Sequence, residues 1–199
     1  MSYYPVFLNL DAQPCTVIGG GAVAARKVEG LLGAGALVTV IAPRLHPALA
    51  ALHGAGRIVW RAGTYPEQAL GEPVLVIAAT DDAAVNRAVS EECRARRIPV
   101  NVADAPELCS FILPAVVDRS PLKIAISSAG TSPILARRLK ERIEAALPAR
   151  YGALARFAER WRPRVREAVP DAAARRRLWE DTLDGPIAER VLDGREAQA

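Results

Sequence analysis

The sequence predicts an α/β protein: a doubly wound parallel sheet, then a β-hairpin and a set of helices. Three observations carry this. From residue 15 to 102 short β-rich runs alternate with helical stretches, the order that builds parallel sheets. Several of those runs are continuously apolar, as strands covered on both faces must be. After Asp104 the alternation stops, two strand-like runs stand side by side, and only helical patterns follow.

The strand candidates are CTVIG (15–19), LVTVIA (37–42), RIVWRA (57–62), VLVIAAT (74–80) and IPVNVA (98–103). Between the first two, Ala24, Val28, Leu31 and Leu32 repeat at helical spacing, and Gly33 and Gly35 end the helix. Residues 81–97 read as a second helix, capped by Asp81 or Asp82 and carrying arginines in its last turn. SFILPAVVD and LKIAISSAG, joined by the tight RSP, read as a hairpin. In the next helix Leu135, Leu139, Ile143 and Leu147 recur every fourth residue, with Ser132 as cap and Pro133 at the first position. A further helix from Arg150 should be interrupted at Pro163, and DAAARRRLWEDTL should close the series. The expected division is 1–112, 113–147 (hairpin plus helix) and 148–199 (helices).

Half of the 199 residues are hydrophobic, enough for a real core, yet no uncharged apolar run reaches the length of a membrane span. The N-terminus lacks the basic start of a signal peptide. Cys15, Cys93 and Cys109 have neither metal nor disulfide spacing, and their odd number fits a reducing compartment; the expectation is a soluble, cytoplasmic protein. Charge is unevenly placed. Residues 1–130 hold 11 basic and 11 acidic residues, whereas residues 131–199 hold 15 and 11, so the surplus is C-terminal and almost entirely arginine. Such a surplus suits an acidic partner, a nucleic acid, a polycarboxylate substrate or a solvated helix face.

The chemistry begins at TVIGGGAVAARK, residues 16–27. Gly19, Gly21 and Ala24 spell G-x-G-x-x-A between a strand and an amphipathic helix. That is the dinucleotide-binding fingerprint of a Rossmann-type fold in its proper context. Gly19 permits the turn, Gly21 lets the backbone approach a pyrophosphate, and the helix start at Ala22 and Val23 offers free N–H groups. No acidic residue ends the second strand to hold a ribose: position 41 is isoleucine and the stretch runs IAPRLHP. Arg44 there suits a 2′-phosphate and hence NADP, while backbone groups near Ala42 and Pro43 suit a plain ribose equally.

A second site lies in NVADAPELCSFILP (101–114), at the C-terminal end of the fifth strand, the edge where ligands sit in open α/β sheets. Asp104 is the carboxylate that follows directly on this strand, a candidate base or simply a turn residue before Pro106. In SSAGTSP (127–133), Ser127, Ser128, Thr131 and Ser132 crowd a helix start, where one hydroxyl suffices as cap and four suit an anion. His46 and His53, seven apart and without a Cys or carboxylate at ligand spacing, make no metal site.

Taken together, CTVIGGGAVAARK, AATDD…VN, NVADAPELCSFILP, DRSPLKIAISSAGTSPILAR and the C-terminal helices closely resemble the N-terminal module of siroheme synthase, over nearly the whole chain. The resemblance implies NAD-dependent oxidation of precorrin-2 to sirohydrochlorin, and Fe2+ insertion, with the metal as substrate, to give siroheme. It implies a homodimer that exchanges the hairpin region, Asp104 as the acid/base group of both reactions, and Ser128 in the substrate cleft, a serine phosphorylated in some members. Ser127 and Thr131 would join it, while NAD contacts would fall on Gly19, Gly21, Ala22, Val23, Pro43, Arg44, Thr80 and Asn101. Members similar to this chain lack the acidic ribose clamp and still use NAD. An eight-carboxylate tetrapyrrole suits the arginine-rich half, and its own nitrogens would ligate the metal. Long members carry a methyltransferase module beyond this stretch, so no S-adenosylmethionine chemistry is expected of it. Alternatives are a dehydrogenase or chelatase alone, and a non-catalytic dinucleotide-sensing dimer. Nucleic-acid binding by the tail is disfavoured because its arginines are interleaved with glutamates, and no membrane contact is expected.

Overall fold

The computed structural model describes residues 3–195, and its chain divides into two compact units, Met1–Leu113 and Pro114–Ala199. In the first, five strands lie in one parallel sheet: β1 (Pro14–Ile18), β2 (Leu37–Ala42), β3 (Ile58–Ala62), β4 (Leu75–Ala78) and β5 (Val100–Val102), ordered β3-β2-β1-β4-β5. The order reverses at β1, which pairs with β2 on one side and β4 on the other, Cys15 opposing both Val38 and Leu75. Reversal opens a crevice at the carboxyl ends of β1 and β4.

Alternation along each strand sorts the core onto the two faces of the sheet. Val17, Val40, Leu75 and Ile77 pack with Ala24, Val28 and Leu31 of helix α1 (Ala22–Gly33) and Leu49 of α2 (Pro47–Gly54). Ile18, Ile41, Val76, Ala78, Val100 and Val102 pack on the other face with Val89 and Cys93 of α3 (Ala83–Ala95). Burial of both faces explains the unbroken apolar runs. Strands β1 and β2 keep the length of their runs, β3 is one residue shorter, and β4 and β5 are each three residues shorter, because residues at both ends of those two runs turn into loops. Helix α2 was not among the expected elements; His46 caps it, with Pro47 at its first position. Of the two candidate caps for α3, Asp82 serves, accepting from the N–H groups of Ala84 and Val85 at 2.8 and 3.1 Å.

The second unit opens with an antiparallel hairpin, β6 (Ala115–Arg119) and β7 (Leu122–Ile126). The hairpin starts later than its apolar run, since residues 110–111 complete the first unit: Ser110 exchanges hydrogen bonds with Val100, and Asn101 Nδ2 donates to the Phe111 carbonyl. Four helices follow, α4 (Pro133–Ala146), α5 (Tyr151–Ala168), α6 (Ala172–Asp184) and α7 (Pro186–Leu192). Arg119 binds the last carbonyls of α4, donating to Leu147 and Glu144 at 2.8 and 3.1 Å. Gly152 is required because a Cβ there would meet the Ser120 carbonyl at 2.5 Å. Contrary to expectation, α5 runs unbroken through Pro163; the ring removes one N–H donor, and the turns on either side carry the helix across. A small core of Leu154, Phe157, Ala188 and Val191 joins α5 to α7.

Candidate functional site: a dinucleotide cleft and a carboxylate beside it

A cleft of about 780 Å³ lies at the carboxyl ends of β1, β2 and β4, a size typical of cofactor sites. Its floor is the glycine loop, and each glycine has a different reason to be there. A Cβ on Gly19, which holds φ +120°, would lie 2.2 Å from the Ala79 carbonyl oxygen. On Gly20 it would lie 2.0 Å from the Arg44 carbonyl oxygen, whose segment is also joined to the loop by the His46 N–H to Gly20 carbonyl bond of 2.7 Å. A Cβ on Gly21 would meet nothing within 4 Å, and Gly21 has an ordinary φ of −85°. Packing therefore explains Gly19 and Gly20, whereas the open side of Gly21 fits close approach by a ligand. Gly21 is also the N-cap of α1, with no side-chain cap bond and no acid in the first turn. The amide groups at Ala22 and Val23 thus face the cleft with a positive dipole end and no competitor.

One wall is Pro43, Arg44, Leu45 and His46; opposite stand Thr80, Asp81, Asp82 and Val85; Gly63, Thr64 and Tyr65 close the end. The Ala42 carbonyl, a candidate ribose acceptor, already accepts from Trp60 Nε1 at 2.9 Å and from the Gly63 N–H at 3.3 Å. Both of its lone pairs are used, which leaves this carbonyl no acceptor capacity for a ribose hydroxyl. His46 Nδ1 accepts from the Ala48 N–H at 3.3 Å; the neutral ring then carries its proton on Nε2. Thr80 Oγ1 lies 3.1 Å from Asn86 Oδ1, and Asn86 Nδ2 donates to the Thr80 carbonyl at 3.0 Å, which fixes this wall to α3.

Asp104 stands two residues past β5 with φ +57°, exposed, in the left-handed region that an aspartate tolerates better than most residues. Its loop is tied around Cys109, whose Sγ accepts from the Val102 N–H at 3.1 Å and lies 3.4 Å from the Ala105 carbonyl. Half-buried Lys27 of α1 lies within the field of Asp104: burial and Arg26 pull its pKa down, and Asp104 and Cys109 oppose them. Asn101 is not at the cleft; it is 8% exposed, and its Nδ2 reaches the Phe111 carbonyl at 3.1 Å and Cys109 Sγ at 3.5 Å.

In the second unit, Ser132 caps α4 by accepting from the Leu135 N–H. Ser127 Oγ accepts from the Ala129 N–H and Ser128 Oγ from the Ser132 N–H, each at 3.0 Å. Acting as acceptors, both keep their O–H groups for another partner. Among the described residues no three His, Cys, Asp or Glu side chains gather as a metal site.

Comparison with known proteins decides the family. Residues 6–115 match a putative NAD(P)-binding family, residues 119–146 the sirohaem biosynthesis protein central family, and residues 150–199 the sirohaem synthase dimerisation region. The chain belongs to the siroheme synthase family, as its N-terminal module. It is 54% identical over 199 residues to a siroheme synthase of Methylobacillus flagellatus and 50% identical to one of Methylococcus capsulatus, covering 100% of this chain. It spans 43% and 42% of those relatives' lengths. A solved structure of SirC, a precorrin-2 dehydrogenase, matches with a TM-score of 0.80 and 25% identity, over 99% of this chain and 100% of that one.

Within the first unit, Gly19, Gly21, Ala22, Val23, Pro43, Arg44 and Thr80 come together in one cleft, and Asn101 does not join them. Asp104 lies off the cleft's lining, past β5. Sequence reasoning overlooked Gly20, His46, Thr64 and Tyr65. A third consecutive glycine was the available signal for Gly20; nothing local marks Thr64 and Tyr65, which arrive from a loop 40 residues downstream.

Proposed function

We propose that this chain binds NAD in the cleft and oxidises precorrin-2 to sirohydrochlorin, and that the same module inserts Fe2+ to give siroheme. The observation that carries the reading is the open cradle at Gly21 with the uncapped start of α1, in a unit that also presents the exposed Asp104 carboxylate past β5. Gly19, Gly21, Ala22 and Val23 would hold the pyrophosphate, Pro43 and Arg44 the adenosine side, and Thr80 the far wall. When bound, NAD supplies the hydride acceptor. Asp104 takes the substrate proton in the oxidation and, in chelation, the protons displaced from the macrocycle nitrogens, which are themselves the ligands of the substrate metal. Its exposure suits a base that a large substrate must reach. Ser127, Ser128 and Thr131 offer hydroxyl donors to substrate carboxylates, and the arginines of residues 131–199 complement their charge.

The working form we propose is a homodimer. Residues 113–147 carry the exchanged contacts and 148–199 the adjoining helices, a reading supported by the family's dimerisation label on residues 150–199 and by exposed Ile134, Leu135 and Leu139 on α4.

The test is anaerobic turnover of precorrin-2 with NAD or NADP, followed as reduced nicotinamide and pigment spectrum, then with Fe2+ added to preformed sirohydrochlorin. Asp104→Ala should lower both rates by roughly 100-fold or more while NAD still binds. Full oxidation and chelation by that variant would remove Asp104 from the chemistry.

A further inference from the structure

The connection from β3 to β4, residues 63–74, has no regular secondary structure, yet it supplies Gly63, Thr64 and Tyr65 to the end wall of the cleft. Its middle is anchored by Leu70, buried in the core, whose carbonyl accepts from Thr16 Oγ1. Its flanks are held from outside the cleft by α3. Tyr65 Oη donates to Glu92 Oε2 at 2.6 Å; Glu92 Oε1 accepts from Arg96 Nη1 at 2.7 Å; Arg96 Nη2 donates to the Gly71 carbonyl at 2.5 Å and meets Glu72 at 3.3 Å. Two residues one helical turn apart thus grip both ends of the loop. The same helix begins at the opposite wall, where Asp82 and Val85 line the cleft.

We infer that Glu92 and Arg96 are positioning residues for the dinucleotide: through Tyr65 and Gly71 they hold the end wall at the width the bound cofactor needs. Neither side chain lines the cleft. The effect is preorganisation, because a loop ordered on folding has less freedom left to lose on binding. The chain is well matched chemically. Burial and the bond to Glu92 push the Tyr65 hydroxyl up to about 12, so it remains a donor at every physiological pH. The bonds from Tyr65 and Arg96 hold Glu92 below the usual carboxylate range, against its partial burial, so it remains a doubly used acceptor.

The inference rests on dinucleotide binding in this cleft, and calorimetric titration of the purified chain with NAD separates the two. Tyr65→Phe and Glu92→Gln should each raise the Kd for NAD about tenfold. In turnover Glu92→Gln, whose side chain lies outside the cleft lining, should raise KM for NAD by the same factor, leaving kcat and KM for the tetrapyrrole unchanged, a split that a general loss of stability would not produce. Leu31→Ala, a cavity in the core on the opposite face of the sheet from Tyr65 and Leu70, controls for stability and should leave Kd unaltered. Unchanged Kd in both Tyr65→Phe and Glu92→Gln, or an equal rise in Leu31→Ala, would overturn the clamp alone. Failure of the unaltered protein to bind NAD would overturn the dinucleotide reading and the clamp with it.

Discussion

Gly20 and Gly21 are adjacent and chemically identical, yet they should fail differently when given a methyl group. At Gly20 the added carbon meets the Arg44 carbonyl and Ala42 Cβ, the buried end of β2 and the segment just after it, which have no room to retreat. Gly20→Ala should therefore lower stability by roughly 1–3 kcal/mol, the usual cost of overpacking, visible as a drop in Tm. Gly21→Ala meets open space and has no φ to strain. It should leave Tm nearly unchanged while weakening NAD binding at least about tenfold, since the methyl occupies the ligand's side of the loop. Thermal melts and calorimetry on the pair check both statements; a stable Gly21→Ala that binds NAD normally would refute the cradle. Asn101 teaches a related lesson. Its type and position suit a ligand contact, but its amide is spent on Phe111 and Cys109, which shape the loop carrying Asp104. The strand register that turns it toward that loop is not written in any local motif.

At the scale of elements, α4 shows how far a pattern reaches. The fourfold recurrence of Leu135, Leu139, Ile143 and Leu147 foretells the helix, and Ser132 and Pro133 foretell where it starts. Within the chain, however, Ala136 is the helix's buried residue, while Ile134 is 72% and Leu135 53% exposed. We expect that face to meet a second copy. Leu135→Asp with Leu139→Asp should convert a dimer to monomers in sedimentation velocity with helix content retained. Dimers that persist would place the interface elsewhere. Helix α3 is fixed more locally: losing the Asp82 cap in Asp82→Ala should cost about 1 kcal/mol of stability, measured by urea unfolding. The helices that escaped prediction, α2 and α7, are short and each begins at a proline, Pro47 and Pro186, a start signal without enough following length to reveal a period.

For the whole molecule, three buried protons set an alkaline limit. Burial pushes the thiols of Cys15 and Cys93 up to about 11 and contributes to Tyr65 at about 12. In the unfolded chain these groups lose their protons nearer 9 and 10. Above that range the unfolded state binds fewer protons than the fold, so stability falls as pH rises. The loss should begin near pH 9 and run to about 12, with a slope of up to about 1.4 kcal/mol per pH unit for each group. Urea midpoints from pH 8 upward check it, and Cys15→Ala with Cys93→Ala should flatten the limb between pH 9 and 11; an equally steep limb in that variant would discount the thiols. These cysteines look unremarkable in the sequence, where only their number and spacing can be read. What the sequence alone determined is what local chemistry dictates: alternation of strand and helix, apolar runs of strands covered on both faces, the glycine loop before a helix, the caps. Tertiary structure decided which distant segments share a wall: Tyr65 and Thr64 against Asp82 and Val85, the doubly used Ala42 carbonyl, Lys27 near Asp104. Those pairings depend on sheet order and strand register, which arise from packing both faces of one sheet at once, and no short window of residues contains that condition.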